Sequence, residues 1–144
     1  MKNGYTLIEL LIVVLIVSLI AVMTSVFYSR FLVQSSVDDI TDTIVQNLRK
    51  AQLYAMESRK SETMGWGVTY AASNIVVYMG NSYAGRTAAY DEKTPIAGAA
   101  SISAFEINFM RLTGTPSAMP TINITGKNIT KSVTLTAQGM IGRI

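Results

Sequence analysis

Residues 4–29 read GYTLIELLIVVLIVSLIAVMTSVFYS, and this stretch decides the fold. From Leu10 to Ser29, twenty consecutive residues carry no charge. A helix of that length is roughly 30 Å long, which is the thickness of a bilayer's hydrocarbon core. The run therefore reads as a membrane-inserting segment. Glu9, between Ile8 and Leu10, breaks the pattern. A carboxylate in hydrocarbon costs on the order of 2.5–3.5 kcal/mol on insertion scales, so it needs a partner. Lys2 is the only basic residue before Arg30, and the sequence shows no counter-ion close to Glu9. The leader Met1-Lys2-Asn3-Gly4 is too short for an ordinary secretory n-region.

Working outward, the 144 residues suffice for one compact domain besides the apolar segment. The chain is 49% hydrophobic and 15% charged with mean hydropathy +0.33, a composition unlike that of a disordered chain. It has no Cys and no His, so thiolate and imidazole metal sites, Cys nucleophiles and Ser-His-Asp triads are excluded. With no disulfide available, a domain outside the cytoplasm is held by packing alone. The reading is non-enzymatic, with no cofactor and no metal.

Gly4-Tyr5-Thr6-Leu7-Ile8-Glu9-Leu10-Leu11 resembles the leader junction of type IV pilins and type II secretion pseudopilins. The resemblance implies that a membrane-embedded prepilin peptidase cuts between Gly4 and Tyr5 and that the new amine on Tyr5 is methylated. The family usually has Phe where this chain has Tyr5, which keeps an aromatic ring in place. The resemblance also implies a partner for Glu9, the N-terminal amine of a neighbouring subunit in an assembled filament. Two ions that are costly alone become tolerable together when geometry is good and water is excluded.

No Gly or Pro interrupts Tyr5 to Met64. In its second half Val33, Val37, Ile40, Ile44, Leu48, Ala51 and Ala55 recur at intervals of three and four, while Asp38, Asp39, Asp42, Asn47 and Lys50 fall on other faces. The pattern predicts one helix over 5–64, ended by Gly65. Beyond it the period becomes two. Trp66–Tyr70 and Ile75–Met79 read as a hairpin around Ala71–Asn74. Strands follow near Phe105–Phe109, Thr121–Thr125, Ile129–Thr136 and Gly139–Ile144. Gly80–Ala104 lacks a pattern and reads as a long loop or short edge strands. The expected fold is α+β and pilin-like, a long helix packed on an antiparallel β-sheet domain. Its divisions are a removed leader (1–4), a transmembrane or filament-core half-helix (5–29), an amphipathic half-helix (30–64) and a β-domain (65–144).

Leu48-Arg49-Lys50-Ala51-Gln52 with Ala55 and Arg59, the Phe109, Leu112 and Gly114 strand exit, and Val133-Thr134-Leu135 leading to Gly139 resemble GspH-type minor pseudopilins and minor pilins. The lack of a C-terminal Cys pair separates the chain from many major pilins. The resemblance implies a structural filament subunit, single-pass in the inner membrane with its C-terminal domain outside the cytoplasm, then part of a periplasmic pseudopilus or extracellular pilus. Implied partners are other pilin or pseudopilin subunits, prepilin peptidase and a secretion or pilus assembly platform.

The alternative partner is DNA. Arg111, Lys127, Lys131 and Arg143 form an acid-free basic set from residue 107 onward, and a basic patch binds phosphate backbones. Some minor pilins capture DNA through a basic C-terminal segment, though here only Ile144 follows Gly142-Arg143. Asp91-Glu92, beside Asn81 and Ser82, offer oxygen ligands of the kind that hold Ca²⁺, but their spacing follows no calcium-loop pattern and solvated loop charge is the simpler reading. Trp66, Phe105 and Phe109 read as core rather than partner contacts.

Overall fold

The computed structural model describes residues 6–98, 100–127 and 129–144; the helical side chains of 23–27, 29 and 30 lie outside that description. Helix α1 runs from Leu7 to Met56, about 75 Å at the usual rise per residue. It opens on Thr6 as N-cap in a capping box with Glu9. Its apolar stripe is seated as the periodicity requires: Val37, Ile40, Ile44, Leu48, Ala51 and Ala55 are buried, and Val33 is half-buried at the point where the helix leaves the domain. Asn47, expected on a solvated face, is buried instead, donating to the Thr43 carbonyl and accepting from Thr94.

The helix stops eight residues before the predicted end at Met64. Arg59 N–H donates to the Tyr54 carbonyl at 3.0 Å and Ser58 N–H to that of Ala55 at 3.2 Å, with Ser58 in the left-handed region at φ 52°. This is a Schellman cap made without glycine, so the sequence carried no signal for it. Gly65 serves the sheet instead of the helix end. A Cβ there would stand 2.2 Å from the Phe109 carbonyl oxygen, so only glycine lets the chain pass so close to its neighbouring strand.

Among the described residues the strands form two antiparallel four-stranded sheets rather than one. The first contains β1 (Trp66–Ala71), β2 (Asn74–Met79), β3 (Glu92–Pro95) and β5 (Glu106–Phe109) in the order β3-β2-β1-β5. The second contains β4 (Ser101–Ile102), β6 (Ile122–Thr125), β7 (Thr130–Leu135) and β8 (Ile141–Arg143) in the order β4-β6-β7-β8. The β1–β2 hairpin turns through Ala72 and Ser73, both at positive φ, the mirror-image turn that suits the twist of paired strands. The unpatterned 80–104 region supplies one short edge strand to each sheet, β3 and β4.

Helix α1 packs against strands of both sheets. Trp66, Val68, Ile75, Val77, Ile107 and Phe109 meet its stripe from the first, and Ile122, Ile124, Val133 and Leu135 from the second. Trp66, Phe105 and Phe109 are thus core residues. On the outer face of the first sheet Tyr78 is also buried. Its hydroxyl lies between Asn108 Oδ1 (2.8 Å) and Glu106 Oε1 (3.1 Å), and Tyr83 of the following loop folds over it, donating its N–H to Glu106 at 2.8 Å. Burial first, then the Glu106 carboxylate, push the Tyr78 phenol well above its ordinary pKa.

Candidate assembly surface

The first part of α1 has no cover from its own chain. Leu7 is 81% exposed, and Ile8, Leu10, Leu11, Ile12, Val13, Val14 and Leu15 are each at least half exposed, pointing to every side of the helix. Phe31 is still exposed, and burial begins in earnest only at Val37. An arm of about 39 Å, residues 7–32, therefore extends beyond the β-domain. Burying one such side chain is worth roughly 1.5–3 kcal/mol, so water is a poor resting place for the arm.

Among the described residues no helix is long and apolar enough to cross a membrane. The membrane-inserting expectation rested on the uncharged run 10–29, and several side chains of that run lie outside the description. The stretch from Leu7 to Val22, all of whose side chains are described, spans about 24 Å of the helix.

At the head of the arm, Glu9 has a local partner that its charge alone does not suggest. Its Oε2 accepts from Thr6 N–H and Thr6 Oγ1, both at 3.5 Å, and Glu9 N–H donates to Thr6 Oγ1 at 3.4 Å. The pattern Thr-x-x-Glu before an apolar run is a known N-terminal signature and could have revealed it. The carboxylate also faces the positive end of the helix dipole. It has hydrogen bonds there but no counter-ion among the described residues. Gly4 and Tyr5, the expected cleavage pair, lie outside the described residues.

The four basic residues considered for DNA do not form one patch. Lys131 pairs with Asp38 and Arg143 with Asp42, two helix acids one turn apart. Lys127 is exposed beside Gly126, which lies against Val33 and Val37, whereas Arg111 precedes Leu112, whose N–H donates to Ala55 at 3.0 Å. The two remaining cations are thus separated by about 27 Å along the helix.

Of the Asp91-Glu92 pair, Asp91 is not solvated charge, whereas the Glu92 side chain stays 38% exposed. Asp91, its side chain 5% exposed, takes two hydrogen bonds from Arg86 Nε at 2.9 and 3.1 Å, and Glu92 pairs with Lys50 on α1. The hydrogen bond to Glu92 raises the Lys50 pKa. Asn81 and Ser82 stay exposed in the loop, and the carboxylates face cations rather than one another.

Gln52, in the sequence merely one member of a family-like stretch, is a long-range polar tie between the helix and the β-domain. Its Nε2 donates to the carbonyls of Gly114 at 3.0 Å and Gly139 at 3.1 Å. It anchors to the helix the two loops that lead into β6 and β8.

Residues 1–25 match the family described as the prokaryotic N-terminal methylation motif. The match supports a type IV pilin-like chain. In such a chain the motif marks processing by prepilin peptidase, membrane anchoring and assembly with other pilin subunits, and it coincides here with the capped, uncovered head of α1. No curated protein and no solved structure matches the chain.

Proposed function

We propose that the chain is a non-enzymatic filament subunit, a minor pseudopilin of a type II secretion system or a minor pilin of a type IV pilus, of GspH-like type. The observation that carries this reading is the arm from Leu7, apolar on all sides and headed by a capped Glu9 within the methylation motif. The chain is cut after Gly4 and methylated on Tyr5. It waits in the inner membrane as a single-pass protein with its β-domain outside the cytoplasm, and the assembly platform then moves it into a pseudopilus or pilus.

Lipid holds the arm until assembly supplies similar apolar surfaces from neighbouring helices. Glu9 sets the register, exchanging its loose Thr6 hydrogen bonds for the methylated amine of an adjacent subunit. That exchange is favourable because a close ion pair in a dry environment outweighs two long hydrogen bonds.

Mass spectrometry of the mature protein tests the processing: the N-terminus expected is methylated Tyr5. Glu9→Ala is expected to leave membrane insertion unchanged and to cut incorporation into filaments at least tenfold. A mature chain that keeps residues 1–4 within working filaments overturns the proposal.

A further inference from the structure

Two turns of the β-domain sit on the helix just where the arm begins. Gly126, between β6 and β7, is pressed against α1: a Cβ there would stand 2.9 Å from the Val33 side chain and 2.8 Å from that of Val37. Gly98, in the loop before β4, approaches the helix slightly further along, where a Cβ would stand 2.5 Å from Ser36 Oγ. These contacts fix the height of both turns on the helix axis. Lys127, next to Gly126, is exposed and has no ion pair among the described residues. Residues 94–105, which include the Gly98 loop, carry no charge.

The height can be set against a bilayer. The uncharged run ends at Ser29, and Arg30 is the first charged residue after it. Tyr28 and Phe31, 63% and 67% exposed, bracket that point, and aromatic rings favour a membrane–water boundary. With the run 10–29 in hydrocarbon, Val33 stands about 6 Å beyond the boundary along the helix. The headgroup layer on each side of the hydrocarbon is about 5–7 Å deep. The turn that carries Lys127 is therefore at headgroup height. Acids that would oppose an anionic surface are neutralised or turned away. Asp38 is paired with Lys131 and Asp42 with Arg143. Asp39 is exposed, but it lies about 15 Å beyond the boundary and about 200° around the helix from Val37.

We infer that the turn between β6 and β7 is a contact site for anionic phospholipid headgroups, whose phosphates pair with Lys127. A lysine at this height meets lipid phosphate at the end of a flexible stem, and anionic lipid strengthens the attraction. The inference rests on the membrane-anchored reading and adds to it. The β-domain does not hang free above the bilayer; it rests this rim on the headgroups, and passage of the subunit into a filament breaks the contact.

The chain has no cysteine, so one introduced thiol takes a fluorophore selectively. The full chain with Thr125→Cys, labelled beside the turn, is reconstituted in phosphatidylcholine vesicles with or without phosphatidylglycerol, each containing a lipid with a nitroxide on its headgroup. Quenching is expected to be at least threefold stronger with phosphatidylglycerol. Lys127→Glu should return it to the phosphatidylcholine level at an unchanged melting temperature. Lys93→Glu makes the same charge change beside Thr94, which bonds Asn47 about 27 Å beyond the boundary, and should leave the quenching as it is. A second labelled chain, Ser18→Cys, reports arm insertion separately through a nitroxide deep in the acyl chains. Ser18 quenched with no response of the Thr125 label to phosphatidylglycerol, or an equal effect of Lys93→Glu, overturns the headgroup site and leaves the anchored reading standing. Ser18 unquenched overturns both.

Discussion

Gln52 on α1 donates to the carbonyl of Gly139, 87 residues away in sequence, at 3.1 Å. The same nitrogen serves Gly114, and a Cβ on Gly139 would fall 2.3 Å from it, so the approach exists only because that residue is glycine. Gln52→Ala strands two part-buried carbonyls and is expected to cost about 2–3 kcal/mol of stability. Gly139→Ala is expected to cost at least as much, because its φ of 81° adds strain to the clash. Chemical denaturation of the full chain in detergent measures both, and a loss below about 0.5 kcal/mol for Gln52→Ala refutes the tie.

Gly67 leaves room for the Tyr78 ring. A Cβ at Gly67 would meet the Tyr78 ring at 2.5 Å and Asn108 Oδ1 at 2.3 Å. Gly67→Ala is therefore expected to destabilise the fold by about 2 kcal/mol or more. Adding Tyr78→Leu should recover part of that loss, which a double-mutant cycle reads directly.

Tyr78 also makes stability depend on alkaline pH. Its phenol pKa is raised in the fold, above the ordinary value of about 10. The stability it contributes is therefore complete below about pH 10 and declines as pH climbs from there toward the folded-state value. Tyr78→Phe should be less stable at pH 7, having lost the contacts to Glu106 and Asn108, yet fall less steeply between about pH 10 and 12. Parallel slopes for the two proteins would remove Tyr78 as the cause.

Thr6→Ala removes the cap of α1 and is expected to cost about 1 kcal/mol of helix stability. Amide exchange near residues 7–10 should speed up several-fold, with the β-domain unaffected. Protection that stays unchanged would show that the capping box contributes nothing.

Asp38 and Asp42 neutralise Lys131 and Arg143. Wild-type chain is expected to give little DNA shift on a gel at low salt. Asp38→Asn with Asp42→Asn should increase it, while moving the melting temperature only slightly because all four side chains are partly exposed. Strong wild-type binding would restore the nucleic-acid reading.

What the sequence disclosed follows from periodicity. The three-four spacing from Val33 to Ala55 placed the buried stripe, and alternation around Ile107, Ile122 and Val133 placed their strands, because each pattern reports a single buried face. The helix end at Met56 was hidden because Ser58 takes up the left-handed turn usually marked by glycine. The division into two sheets, the Gln52 tie and the pairing of Lys131 with Asp38 depend on contacts between residues far apart in the chain, which no local period encodes. The methylation motif over residues 1–25 was legible because it is a pattern of neighbouring residues in the chain.

Helix α1 is one continuous element from the exposed arm to Met56 within the β-domain, with neither Gly nor Pro along it. Such a rod has no joint. A shift or rotation imposed at its tip is passed to the whole head as a lever passes it, so the position of the head in space is determined from its root, and the outward end near Leu112 sweeps through the largest arc.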